Sequence, residues 1–403
     1  GDGCHRHKSS KMRKTLFIIA AIWTAFPLFA RTHIDDVLRA IEQNNTTLKA
    51  LRQEADARKI ENRTDLALPD PEIGFDYLWG SPSSIGVRKD FSVSQSLDMT
   101  TLFGLKSKVA GEKDELIEWQ YKSDRMNILL EAKLYCIDLI YYNALLKELN
   151  VRLEHAKGIA AAQKIRLESG EGSKVEYNNV ILNLSVLEGK IGEINTERNA
   201  VLSQLARLNG GQRVVFDEDG YETMDMPENF EEWYKAAEMK NPLLSYVKQE
   251  IEVSRRQLSL SKASTLPTIS AGYMGEYVVG QSYRGISLGI SVPLWSNRNR
   301  IRRAKAAVLA AESRATDAKE QFYGNMEIQY YRTAGLKAAA EKYRATLAAN
   351  DNSLLLKKSL DEGEISVLDY LVGIGLYYDA VNQALDAERA YRKAYAELSA
   401  VEL

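Results

Sequence analysis

The glycine-centred phrase "RLESGEGSKVEYN" at residues 166–178 occurs a second time, in varied form, as "SLDEGEISVLDYL" at residues 359–371. The two phrases align on Gly170 and Gly363. Glycine adopts the positive φ at which many helices end, without the steric penalty that other residues incur. Each phrase therefore indicates a point at which one helix stops and the chain turns.

A serine stands three residues after each of these glycines, at Ser173 and Ser366. Serine is a preferred N-cap because its hydroxyl accepts a hydrogen bond from a free N–H in the first turn of a helix. An acid follows three residues later, Glu176 or Asp369, as in a capping box. A second helix should start at each serine, so both phrases predict the tips of helical hairpins.

Long stretches without proline flank both tips. Proline is absent between residues 83 and 226 and after Pro293, and this residue interrupts helix interiors. Apolar residues recur every three or four positions, as in helices that pack side by side: Val180, Leu184, Leu187, Ile191 and Ile194, and later Val367, Leu371, Ile374, Tyr378, Val381 and Leu385. We predict long helical hairpins at residues 102–208 and 298–402.

Ahead of each hairpin, two segments alternate apolar or aromatic residues with small or polar ones. This alternation predicts strands at residues 71–79, 85–95, 267–279 and 284–295. Strands of about ten residues with one apolar face are typical of transmembrane barrels, whereas a soluble hairpin packed on a core is the alternative. Four strands cannot close a barrel, and lipid tolerates no open sheet edge, so the membrane interpretation requires oligomerisation.

The alternation assigns side chains to two surfaces. The residues predicted to face lipid are large and aromatic: Phe75, Tyr77, Trp79, Phe91, Tyr273 and Tyr277. The residues predicted to face the lumen are charged: Arg88, Asp90 and Glu276. The outer surface would then be apolar and the interior polar, as an aqueous channel requires.

The order helix, strand, strand, long helical hairpin occurs twice. It divides the chain into a first repeat at residues 31–208, a polar linker at 209–227 and a second repeat at 228–403. The predicted fold class is therefore α+β, in a membrane protein that arose by duplication.

The N-terminal residues 1–30 are predicted to hold a tail and a signal peptide that starts at Met12, with a basic start and a short apolar run. A membrane anchor is the alternative, but the run is shorter than a spanning helix and Pro27 interrupts it. No cysteine follows the run, so we expect the chain not to be lipidated.

Composition argues against several classes of function. The net charge of −2 disfavours a nucleic-acid partner, because such proteins usually carry a basic excess. After the signal region the histidines are His33 and His155, without metal-ligand spacing, and the chain has no Walker loop or GxSxG motif. We therefore predict no enzyme, no catalytic or metal-binding residues and no cofactor.

The sequence resembles the TolC family of outer-membrane efflux and secretion conduits over residues 33–403. The features that carry the resemblance are the duplicated element order, a Leu-Pro pair at 68–69 and again at 266–267, the segment "SVPLW" at 291–295, and the paired tips. Each feature is weak alone, and their order and spacing together are specific.

The resemblance implies a homotrimer whose twelve strands close one β-barrel in the outer membrane of a Gram-negative bacterium. A periplasmic α-helical barrel would continue this β-barrel. It implies a passive exit duct for efflux or type I secretion, coupled through a periplasmic adaptor to an inner-membrane pump of the RND or ABC type. The sequence does not select the cargo: drugs, metal ions and secreted proteins all fit.

The resemblance also implies roles for the tips. The residues expected to contact the adaptor are Gly170, Gly172, Ser173, Glu176, Gly363, Ser366 and Asp369. Asp369 matches an acid that forms a constricting ring in gated relatives, but Val372 replaces the second acid of that ring. The alternative is that Asp369 only caps its helix.

A second function fits part of the sequence: a periplasmic coiled-coil adaptor or scaffold that forms no pore. It would share the signal peptide and the hairpins. The four aromatic-rich strands argue against it, because a soluble coiled coil does not need them.

Overall fold

The computed structural model describes residues 33–295 and 298–403, apart from the side chain of Arg298. The predicted signal peptide within residues 1–30 lies outside the described residues. The described chain repeats one pattern, in which short helices lead into two antiparallel strands and then into a long helical hairpin. This observation confirms the predicted duplicated α+β fold.

The first copy places a long hairpin after a pair of strands. Its elements are α1 (Ile34–Asn44), α2 (Thr46–Thr64), β1 (Glu72–Trp79), β2 (Val87–Leu97), α3 (Met99–Leu102), α4 (Leu105–Glu168) and α5 (Lys174–Leu208). With 64 residues, α4 is about 96 Å long at the usual helical rise. The hairpin therefore extends far beyond the sheet.

The second copy follows the same order. Its elements are α6 (Phe230–Lys240), α7 (Pro242–Ala263), β3 (Thr268–Val278), β4 (Gln281–Ser291), α8 (Arg298–Ala349), α9 (Ser353–Asp361) and α10 (Val367–Leu398). None of the helices within 33–295 and 298–403 combines the length and hydrophobicity needed to cross a membrane.

The second hairpin departs from the prediction at residues 350–352. One continuous helix was expected from residue 298 to the tip, but α8 ends at Ala349 and α9 starts at Ser353. The side chain of Asp351 accepts hydrogen bonds from the backbone N–H (3.0 Å) and the hydroxyl (2.6 Å) of Ser353. Such local bonds compete with helical ones, so an Asn-Asp-Asn run interrupts a helix without any proline.

Two asparagines show the duplication at atomic level. Asn45 caps α2 by accepting a hydrogen bond from the N–H of Leu48 at 2.8 Å, and Asn241 caps α7 in the same way from Leu244 at 2.9 Å. Both asparagines are buried. Each therefore stabilises the turn between the first two helices of its repeat.

All four strands form one antiparallel sheet in the order β1-β2-β3-β4. The two repeats meet at its centre, where β2 pairs with β3 from Lys89 opposite Tyr277 to Leu97 opposite Ile269. The strands β1 and β4 are the edges, and among the described residues no further strand covers either of them. Two rows of backbone N–H and C=O groups are thus left to be paired by something else.

Two strands differ from their predicted positions. The strand predicted at 85–95 starts two residues later, because Ser83–Ile85 form a 3₁₀ turn. The strand predicted at 284–295 runs instead from residue 281 to residue 291, and it ends before Pro293, which has no N–H for the ladder. The other two strands differ from prediction by at most one residue at either end.

The helical core lies between the sheet and the tips. In the first repeat it joins α1, the middle of α4 and the end of α5 through Ile41, Leu139, Ile140, Leu205 and Phe216. In the second repeat an aromatic cluster joins α6, α8 and α10 through Phe230, Tyr234, Tyr330 and Leu398. These cores hold the helices of the two hairpins together near their middle. The sheet lies at one end of the hairpins and the tips lie at the other.

Candidate functional site

One face of the sheet is aromatic. Residues that are directly paired across strands share a face, so the register can be read as rows. It places all the residues predicted to face lipid on one side: Phe75, Tyr77, Trp79, Phe91, Tyr273 and Tyr277. These residues are exposed, to between 39% and 79%. So much exposed aromatic surface is unsuited to water and calls for an apolar neighbour.

The opposite face is polar and carries Arg88, Asp90 and Glu276 together. The Arg88 Nε lies 3.0 Å from a carboxylate oxygen of Asp90 and 3.3 Å from one of Glu276. Leu78, Met274 and Tyr283 lie beside this cluster, whereas small residues follow on the same face toward the helices, where a Cβ at Gly272 would meet the backbone oxygen of Val93 at 2.5 Å. The face therefore combines a charged cluster with a stretch of little bulk, as the wall of a water-filled passage can.

The first tip is a tight reversal built on two glycines. Gly170 has a φ of 79°, and the backbone N–H of Gly172 donates to the carbonyl oxygen of Arg166 at 2.8 Å. A Cβ on Gly172 would lie 2.9 Å from the backbone of Arg166. Both glycines are thus required by the turn, one for its conformation and the other for space.

The two N-caps differ. The hydroxyl of Ser173 accepts a hydrogen bond from the N–H of Val175 at 3.2 Å. The capping box predicted with Glu176 does not form, because this bond goes to the second residue of the helix and not to the third. At the second tip the predicted box is complete: Ser366 accepts from the N–H of Asp369 at 3.1 Å, and Asp369 accepts from the backbone N–H of Ser366 at 3.3 Å.

Asp369 is tied to its cap. Its carboxylate also accepts the hydroxyl hydrogen of Ser366 at 2.6 Å, and these side-chain and backbone hydrogen bonds lower the pKa of Asp369. One turn further, Val372 is exposed on the same side of α10, between the exposed Leu368 and Leu376. The exposed face that follows the second tip is therefore mainly apolar, with one carboxylate at its start.

A buried arginine joins the two hairpins above the tips. Arg152 on α4 is only 3% exposed, and it donates to the amide oxygen of Asn382 at 3.0 Å on α10. Its guanidinium lies 4.2 Å from the centre of the Tyr378 ring. Sequence reasoning missed this residue, although an arginine three positions after Leu149, in an apolar seam, was a usable signal.

A groove lies between α4 and α9, near the tips. It encloses about 400 Å³ and is lined by Gln163, Arg166, Lys357, Asp361 and Tyr370, with His155 at its wall. Gln163 is 5% exposed, and its side-chain oxygen has no hydrogen-bond partner among the described residues. His155 is exposed and lies at the wall of this groove.

Metal-binding geometry is not formed by the described part of the chain. Within residues 33–295 and 298–403, no three histidine, cysteine, aspartate or glutamate side chains lie close enough to hold an ion. The arrangement offers surfaces, a polar wall and hairpin tips, and these suit binding and passage.

Known proteins are similar to this chain in sequence and in fold. Residues 233–401 match the family described as outer membrane efflux protein. The alkaline protease secretion protein AprF of Pseudomonas aeruginosa is 23% identical over 281 residues, and the proteases secretion protein PrtF of Dickeya chrysanthemi is 20% identical over 251 residues. The matches cover 64% and 58% of this chain, which spans 58% and 54% of the length of these relatives.

The fold is that of a solved channel. The open state of the MtrE outer membrane channel of Neisseria gonorrhoeae matches with a TM-score of 0.73 and 14% identity, over 91% of this chain and 88% of that one. At this identity the likeness concerns the fold, and it includes the sheet as well as the helical hairpins.

Proposed function

We propose that this chain, whose second half belongs to the outer membrane efflux protein family and whose fold is that of TolC-like channels, is the exit duct of a tripartite efflux or type I secretion system. The observation that carries this proposal is the sheet, which has an aromatic face, a polar face and two unpaired edges. The duct is passive and carries out no catalysis.

The unpaired edges require further copies of the chain. In lipid, each free N–H or C=O group costs several kcal/mol, so a membrane sheet must close on itself. Three copies with four strands each give a twelve-stranded barrel, within the usual size range of outer-membrane barrels. The proposed assembly is therefore a homotrimer, in which β1 of one copy pairs with β4 of the next.

The aromatic face then contacts the outer membrane of a Gram-negative bacterium, and the polar face with Arg88, Asp90 and Glu276 lines the lumen. The hairpins extend into the periplasm as a helical barrel. Relatives named as protease secretion proteins and a neighbour named as an outer membrane channel support this arrangement.

The tips are the proposed contact with a periplasmic adaptor, which couples the duct to an inner-membrane pump. The glycine turns at Gly170 and Gly363 lie at the ends of the long hairpins, farthest from the sheet. We assign Asp369 to the constriction of the duct, where three copies of its carboxylate would attract cations. Because Val372, one turn further along α10, is uncharged, this ring would contain a single layer of carboxylates.

Single-channel recording in a planar bilayer tests the duct. Detergent-purified protein is expected to insert and to give discrete conductance steps. Protein that stays soluble without detergent and gives no steps would exclude the barrel and would favour the coiled-coil adaptor or scaffold.

A further inference from the structure

Charge is distributed very unevenly between the two faces of the sheet. The acidic residues of the four strands all lie on the polar face: Glu72, Asp76, Asp90 and Glu276. The aromatic face carries two charged residues within its strands, Lys89 and Arg284, and both are cations. A face assigned to lipid thus has a net charge of +2 for each copy of the chain.

These two cations surround one tyrosine. Lys89 lies directly opposite Tyr277 and also opposite Tyr77, with its Nζ 5.5 Å from the centre of the Tyr77 ring. Arg284 lies opposite Gly275, and its guanidinium is 5.8 Å from the centre of the Tyr277 ring. The Tyr277 ring lies over Gly275, where a Cβ would meet its Cε2 atom at 3.4 Å, so the ring lies between the two cations.

Lys89 and Arg284 lie at similar positions along the sheet, near the end of the strands that is away from the helices. Lys89 is the third residue of β2, and Arg284 is the fourth of β4. Both strands start at turns on the side away from the helices, so these residues lie roughly 7–10 Å from that end. If the sheet spans the outer membrane as proposed, this depth would correspond to the interface between hydrocarbon and headgroups, where tyrosine rings also concentrate.

Neither cation has an acidic partner among the residues that the structure describes. Within the described residues, no ion pair includes Lys89 or Arg284, whereas their neighbour Arg88 pairs with Asp90 and Glu276 on the other face. A cation on the lipid side of a barrel is unfavourable unless it reaches the interface and meets an anion. The two cations are thus available to an anion from outside the chain.

We propose that Lys89 and Arg284, with Tyr77 and Tyr277, form a binding site for the phosphate groups of a phosphorylated lipid in the leaflet away from the helices. This proposal rests on the proposed function, because it needs the sheet in a membrane. Arginine binds phosphate through two parallel N–H groups, lysine acts as a point charge, and tyrosine hydroxyls donate further hydrogen bonds. From the register, the two cations lie about 12 Å apart between Cα atoms, so their long side chains suit a headgroup that lies across Tyr277.

The amount of lipid that the purified trimer retains tests this proposed site. The protein in neutral detergent is incubated with lipopolysaccharide, with phosphatidylglycerol or with inorganic phosphate, and bound lipid is counted by native mass spectrometry. The variant with both Lys89→Gln and Arg284→Gln is compared with Arg88→Gln, which removes a neighbouring charge from the opposite face. Each cation near an anionic surface changes affinity about fivefold, so the double variant should bind lipopolysaccharide roughly 25-fold more weakly.

Three results would overturn the proposal. Equal retention by the wild type and the double variant would show that the cations bind no lipid. Equal loss in Arg88→Gln would show a general effect of charge, and saturation by inorganic phosphate alone would show an anion site that needs no lipid. Conductance of the same samples is a separate readout: steps without lipid retention refute only the lipid site, and absence of steps in the wild type refutes the duct.

Discussion

Asp90 lies directly opposite Glu276 across the central strand pair, and Asp76 lies opposite Asp90 on the next strand. Three carboxylates thus form a row on the polar face, although like charges directly opposite each other destabilise a sheet. Arg88 is the cation that contacts this row. In a closed trimer, nine carboxylates and three arginines would form an acidic ring around the lumen.

This ring should make the proposed duct prefer cations. Replacing both Asp90 by Asn and Glu276 by Gln removes two negative charges per copy, so we expect the preference for potassium over chloride to fall or reverse. The reversal potential across a salt gradient measures it. Arg88→Gln is the matched control and should shift the potential in the opposite direction. An unchanged potential in all variants would place these side chains outside the conducting path.

The proposed trimer predicts a contact between the edges β1 and β4 of neighbouring copies. Cysteine pairs introduced along these edges should form disulfides that link three chains into a covalent ring, seen as a trimer band after denaturation. Cys136 gives little background, because it is fully buried and burial raises the pKa of its thiol. Cys4 is replaced by serine in all variants. If every cysteine pair gave cross-linked dimers but no cross-linked trimers, closure by three copies would be contradicted.

Capping and gating by Asp369 can be separated. Ser366→Ala removes the cap but keeps the carboxylate, so the first turn of α10 should open more easily by about 1 kcal/mol, as measured by hydrogen exchange. Block of the conductance by divalent cations should persist in Ser366→Ala and be lost in Asp369→Asn. Loss of block in both variants would mean that Asp369 acts only through the helix start.

Asp98, just after β2, should make stability depend on pH. Burial opposes its charge, but hydrogen bonds from Thr100 and Lys106 outweigh this effect and lower the pKa of Asp98 from 3.8 to about 2. A lowered folded-state pKa stabilises the protein above pH 3.8, and this contribution is lost as the pH falls towards 2. We expect Asp98→Asn to reduce the free energy of unfolding by about 1–2 kcal/mol at neutral pH.

The test of Asp98 is the difference in Tm between the wild type and Asp98→Asn across this pH range. The difference should shrink as the wild-type carboxylate becomes protonated. A difference that stays constant with pH would assign the effect to packing at the start of α3 and not to charge.

The stability of the protein should depend on the size of the residue that replaces Arg152. Burial disfavours the charged guanidinium and lowers the pKa of Arg152, so burying this charge costs free energy, while the long side chain fills the space between α4 and α10. We expect Arg152→Ala to destabilise the hairpin contact by about 3 kcal/mol and Arg152→Met, which keeps most of the volume, by less than half as much. Chemical denaturation compares the two. Equal losses would show that the hydrogen bond to Asn382 matters more than volume.

Much of this fold follows from local patterns. The strands and tips were predictable because alternation, N-cap residues and glycine turns act within a few residues of one another. The break at residues 350–352 was missed because absence of proline was taken to mean continuity, whereas Asp351 competes for the backbone through its side chain.

Other features depend on contacts between distant parts of the chain. That Asp90 faces Glu276 required the register between β2 and β3, which lie in different repeats. The groove at Gln163 and the contact of Arg152 with Asn382 required the packing of the two hairpins. No periodicity within one segment contains this information.

The polar face of the sheet also constrains how the protein is made. A single copy inserted in lipid would expose the carboxylates of Asp76, Asp90 and Glu276 and two rows of unpaired backbone groups to hydrocarbon. Such a monomer has no stable membrane-bound state, so insertion and closure must be coupled. If the chain forms the proposed trimer, assembly needs three chains, and the amount of assembled protein should fall more than proportionally when synthesis is reduced.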